Sequence, residues 1–273
     1  MLLGVLGGSP VRLPLDYNRS MLKTLAPFLV LLPSLAAADG WATIRGRFVV
    51  DGEPSQPAKV KVEKDPYCER CKPVDERILI GEGGGLRNVV VYIRAPRGER
   101  LAVRPEAKDR VLEPLTLENK RCRFTPRIAL LQTGQPLVIR NADPTAHNTK
   151  IDLVRNEGVN SVLAAKGEMT VRLERGESLP MPVSCSIHPF MRGYVLVRDD
   201  PHMALTGEDG RFEMTGVPAG EHRLQLWHET GYLANAETAA GTADRRGRLQ
   251  VAAGDGEVID LGEVRIDAAS LTR

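Results

Sequence analysis

The chain has 273 residues, 42% of them hydrophobic and 26% charged, with 37 basic against 35 acidic side chains. That is enough apolar material for two compact cores, which excludes wholesale disorder. The near-neutral balance, without a Lys/Arg block, excludes the basic stripe of a nucleic-acid binder and the polybasic segment that holds a protein on anionic lipid.

At the N-terminus Arg19 and Lys23 precede the apolar run "LAPFLVLLPSLAAA", which ends in Ala36, Ala37 and Ala38. Residues 1–38 read as a secretory signal with the mature chain starting near Asp39, and Met21 opens a compact signal of its own, so the true start is expected there. The run is interrupted by Pro33 and is short for roughly 30 Å of hydrocarbon, so no transmembrane span is expected after cleavage. The expected location is the periplasm, the cell envelope or the medium. Without its signal the chain loses Arg12, Arg19, Lys23 and Asp16 and is close to neutral.

Beyond the signal, short apolar runs are separated by Gly, Pro and Asp, which is the pattern of an all-β chain. The clearest strands are Thr43–Val50, Asn88–Ile93, Pro136–Arg140, Met169–Glu174, Tyr194–Arg198 and His222–His228. "RPEAKDRVLE" is a candidate short helix, and the small polar stretch Glu237–Arg248 is expected to be an exposed loop or mobile insertion.

Two segments carry metal chemistry. "CSIHPFM" holds Cys185, His188 and Met191, and "NADPTAHNTK" holds His147. Two imidazoles, a thiolate and a thioether form a soft-leaning set, and a trigonal His₂Cys site with a weak axial Met suits electron-transfer copper. Zinc is the competing ion, since Cys68 and Cys71 of "CERC" with Cys185 and His188 would make a Cys₃His set. The five histidines, at 147, 188, 202, 222 and 228, are too few for a trinuclear oxygen-reducing copper centre, which argues against a multicopper oxidase. His228, at the end of "LQLWH", reads either as an additional ligand or proton group or as a packed residue at a strand end.

On these residues the chain resembles the cupredoxins, the blue-copper proteins of the plastocyanin and amicyanin kind. "FTPRIALLQTGQPLVIRNADPTAHN" is similar to the family's stretch leading to its first ligand, and "CSIHPFM" to the short ligand loop of amicyanins. The resemblance covers roughly residues 86–198. It implies a Greek-key β-sandwich binding one type 1 copper per chain through His147, Cys185, His188 and Met191, with Asn148 tying the two ligand loops together. Val183 departs from the pattern, since many relatives carry an aromatic residue near the cysteine. The implied role is non-enzymatic: carrying single electrons between a donor and an acceptor protein, with His188 as the electron's exit inside an exposed docking surface that includes Pro189 and Phe190. The alternative is a copper-binding or adhesive surface module without redox cycling.

Downstream, "DGRF" and "VPAGEHRL" resemble the closing half of the carboxypeptidase regulatory-like β-sandwich, and "IRGRFVVDGEPSQPAKVKV" is a candidate opening half. The expected organisation is an N-terminal β segment (39–85), a cupredoxin domain (86–198) and the second sandwich (199–273), possibly split by the cupredoxin. Exported proteins combining such parts are labelled methylamine-utilisation-like. Among Cys68, Cys71 and Cys122 one disulfide is expected, Cys68 with Cys122 or, locally, Cys68 with Cys71.

Overall fold

The structure, a computed structural model, describes residues 40–271 except 53–56, 64, 97 and 109–110. The signal segment and its start lie outside the described residues. In chain order the elements are β1 (Trp41–Asp51), α1 (Pro66–Cys71), β2 (Val90–Ile93), α2 (Pro105–Lys108), β3 (Leu115–Asn119), β4 (Phe124–Thr125), β5 (Ile128–Gln132), β6 (Pro136–Asn141), β7 (His147–Ile151), β8 (Val159–Leu163), β9 (Glu168–Arg172), β10 (Met181–Ser184) and β11 (Arg192–Arg198). They continue with β12 (Met203–Leu205), β13 (Arg211–Pro218), β14 (Gly220–His228), β15 (Gly231–Tyr232), β16 (Glu237–Thr238), β17 (Gly241–Thr242), β18 (Arg248–Ala253), β19 (Val258–Asp267) and α3 (Ala268–Leu271). The protein is all-β, and each strand expected from the sequence forms. Of "RPEAKDRVLE", only Pro105–Lys108 is helical among the described residues. No helix among the described residues is long and apolar enough to cross a membrane.

The strands make two sandwiches. In one, the sheet β5-β11-β10-β7-β8 faces β4-β3-β6-β9. Alternation along β6 sends Leu137 and Ile139 into a shared core with Leu117, Leu131, Val183, Val195 and Val197. In the other, β13-β1-β19 faces a sheet ordered β12-β2-β14-β15, with β18 beside β14. Phe48, Phe212, Leu224, Leu226 and Val264 fill its core. This second sandwich is assembled from both sides of the first: β1 and β2 precede it in sequence, and β12 to β19 follow it.

One allocation is corrected by the strand pairing. β2 lies inside the range 86–198 assigned to the first sandwich, yet it hydrogen-bonds β12 and β14 of the second. Its unbroken run of buried residues has a physical cause, since both of its faces are covered. Val91 and Ile93 point into the second core, while Val90 and Tyr92 join Ile128, Leu196 and Trp227 in a small cluster between the sandwiches. Beside that cluster Arg127 pairs with Glu229 through Nε–Oε1 at 2.6 Å and Nη2–Oε2 at 2.7 Å, both side chains nearly withdrawn from solvent.

Glu237–Arg248 is also more ordered than the sequence suggested. β16 and β17 form a small hairpin, Ala239 N–H donates to Leu261 O, and the Asp244 carboxylate accepts from the backbone of Arg246 and Arg248.

Candidate metal centre

The turn between β6 and β7 is built by Asn141. Its amide donates to the carbonyls of Thr145, Leu163 and Ala164 at 2.7, 3.1 and 2.9 Å, and its Oδ1 accepts the N–H of Asp143. Asp143, so held, receives the backbone N–H groups of Arg121 and Cys122 and the Tyr67 hydroxyl, and meets His147 Nε2 at 2.9 Å. With Nε2 engaged, His147 at the head of β7 turns Nδ1 inward, 3.0 Å from Nδ1 of His188.

Cys185 follows β10 directly. Its Sγ accepts N–H groups from Asn148 at 3.3 Å and His188 at 3.4 Å and lies 4.0 Å from His188 Nδ1. The loop turns back at Met191, whose N–H donates to His188 O, and Met191 is buried in the same core as Cys185 and Val183. Asn148 joins the loops. Its Oδ1 accepts from Ser186 N–H and Oγ, and its Nδ2 donates to Asn160 Oδ1 and Ser161 O. The four candidate ligands His147, Cys185, His188 and Met191 are all buried.

The electrostatics suit a thiolate ligand. Burial would raise the Cys185 thiol, but hydrogen bonds from His147 and from the backbone N–H groups of His188, Asn148 and Ile187 outweigh it and hold it below its ordinary value. Burial likewise opposes charging His147, yet hydrogen bonds to Asp143 and Cys185 bring it up to about 9. His188 moves down, through burial and the charge of His147, against the pull of Asp65. His188 Nδ1 thus lies 3.0 Å from His147 Nδ1 and 4.0 Å from Cys185 Sγ, a spacing at which imidazole nitrogens and a thiolate could share one ion.

The zinc set is overturned by Cys68, which is joined to Cys122 in a disulfide and is no thiolate donor, while Cys71 is free. The open docking edge expected at His188 is overturned as well. His188 is only 3% exposed, because the segment carrying α1 lies over it. Asp65 Oδ2 stands 3.0 Å from His188 Nε2, and Cys68 Sγ lies 3.7 Å from the same nitrogen. Pro189 and Ile187 remain exposed beside it.

Sequence reading missed Asp65 and Asp143. Asp143, four residues before His147, carried a local signal; Asp65 carried only that of a helix cap, in "DPYCERC". His228 is not part of the centre: at the end of β14 its Nδ1 accepts the N–H of Thr230 and caps the turn to β15.

No family model matches the chain, and no curated protein matches it. Among solved structures it is similar to a Cu-containing nitrite reductase (NirK) from Thermus scotoductus SA-01, at 20% identity and a TM-score of 0.30 over 36% of this chain, and it spans only 27% of that protein. It is also similar to amicyanin from Paracoccus versutus (Thiobacillus versutus), at 16% identity and a TM-score of 0.28, covering 37% of this chain and 99% of the amicyanin. The reduced Cu(I) form of the amicyanin P52G mutant gives 14% identity and a TM-score of 0.29, with 40% and 98% covered.

Proposed function

We propose that the protein is an exported electron carrier of the cupredoxin kind, not an enzyme, holding one type 1 copper between redox donor and acceptor proteins. The supporting observation is the convergence of His147 Nδ1, His188 Nδ1 and Cys185 Sγ within a rigid, buried turn beside Met191. Copper bound there would supply one-electron redox chemistry. The chain's own part is to fix the donors. Asp143 orients His147, two backbone N–H groups stabilise the Cys185 thiolate, and Asn148 holds the two loops at one spacing, so the ligands need little rearrangement between oxidation states. The second sandwich, which resembles the carboxypeptidase regulatory-like domain, serves as scaffold.

The test is a Cu(II) titration followed by visible spectroscopy. A Cu–thiolate bond in a constrained trigonal site gives an intense charge-transfer band, which should bleach with a small reductant and return on oxidation. A colourless complex would reject the assignment. The burial of His188 favours one other reading, a passive copper-binding module, which predicts a coloured protein that fails to cycle with a mediator. Export is tested separately by the mass of the mature chain, expected to begin near Asp39.

A further inference from the structure

Asp65 belongs to neither ligand loop and sits 123 residues from the histidine it touches. Its two carboxylate oxygens have separate duties. Oδ1 accepts the N–H groups of Tyr67 and Cys68 and so starts α1, while Oδ2 accepts from Thr145 Oγ1 at 2.9 Å and meets His188 Nε2 at 3.0 Å. The disulfide pins α1 to Cys122, and the Cys122 N–H in turn donates to the Asp143 carboxylate that holds His147. The clipped segment therefore engages the outer nitrogen of His188 directly and that of His147 through Asp143, which accepts from Tyr67 and Cys122.

We infer that Asp65 is the positioning residue for His188, fixing its ring with Nδ1 turned inward and favouring the more positive state of a bound ion, and that the segment carrying it seals the histidine edge. This rests on the copper reading for its second half only. The Nε2–carboxylate contact selects the tautomer that leaves the Nδ1 lone pair free, as carboxylate partners of metal-binding histidines do. A negative charge 3.0 Å from the ring favours Cu(II) over Cu(I).

The test uses the mature, disulfide-bonded chain and the variants Asp65→Asn, Asp65→Glu and Asp65→Ala. Asn is itself a good helix cap, so Asp65→Asn keeps the start of α1 through its oxygen while it removes the charge and turns an NH2 donor, in place of the acceptor, toward His188 Nε2. Cu(II) binding should weaken about 10–100-fold in Asp65→Asn, with Cu(I) binding less affected. Each tenfold difference between the two raises the reduction potential by about 59 mV. Asp65→Glu should restore most of it. In the metal-free protein the His188 Nε2–H should exchange slowly with solvent by NMR in the wild type and quickly in Asp65→Ala. An unchanged potential in Asp65→Asn together with equal exchange in wild type and Asp65→Ala would overturn the inference. If the wild type shows no charge-transfer band, the copper reading fails, and the exchange comparison still decides whether Asp65 holds His188.

Discussion

His147 and His188 each commit one ring nitrogen to a carboxylate and turn the other toward Cys185. Changing Cys185 to Ser removes the soft donor, so the charge-transfer band should vanish even where copper still binds through the imidazoles, whereas Met191→Gln keeps a weak axial donor, so the band should persist at a lower potential. A second expectation concerns His228, which burial holds at about 4 against an ordinary 6.5. Its ring stays neutral in the fold while the unfolded chain gains a proton below pH 6.5. The stability it allows is complete above 6.5 and is lost as pH falls toward about 4, by up to about 3 kcal/mol. Urea unfolding of metal-free His228→Gln should show a flatter decline between pH 6.5 and 4 than the wild type; an equal slope would reject this. The four candidate ligands could be named from the sequence because their chemistry is compressed into "CSIHPFM" and "NADPTAHN", and the fold brings them together. Asp65 was not, because nothing in a helix-cap motif tells which distant imidazole its second oxygen will meet.

Short strands were easy to read where one face is buried and the other wet, as in β1 and β6. β2 was recognised as a strand but assigned to the wrong sandwich, since a run with both faces covered does not say which core each face enters. The turn before β13 depends on backbone geometry: Gly210 has φ +77°, and a Cβ there would lie 2.1 Å from the Phe48 carbonyl oxygen. Gly210→Ala should therefore cost well over about 1 kcal/mol in denaturant unfolding. α1 is six residues long and too short to persist alone, so its position rests on the Asp65 cap and on a disulfide closing a separation of 54 residues. Cys122→Ser should lower stability by about 2–5 kcal/mol. Thiol labelling of the denatured wild type should count two free cysteines before reduction and four after.

Between the two sandwiches, the Tyr194 and Trp227 rings meet edge to face at 5.0 Å beside the buried Arg127–Glu229 pair. Glu229→Gln would leave the buried Arg127 with only the longer pair to Glu76 at 3.4 Å, so it should cost up to about 3 kcal/mol, whereas a surface pair such as Arg45–Asp260 should be worth about 1 kcal/mol or less. The assembly of the second sandwich from both sides of the first also governs the order of events in folding. In the first sandwich β7 pairs with β8 and β10 with β11 across short loops, while β1 must find β13 and β19 after the whole intervening chain has been made. Contacts that close long loops form slowly, so the inserted sandwich should gain amide protection first in pulsed hydrogen exchange. A nascent chain would then complete its ligand turn while β1 was still an unpaired edge, open to strands of neighbouring molecules until β19 arrived.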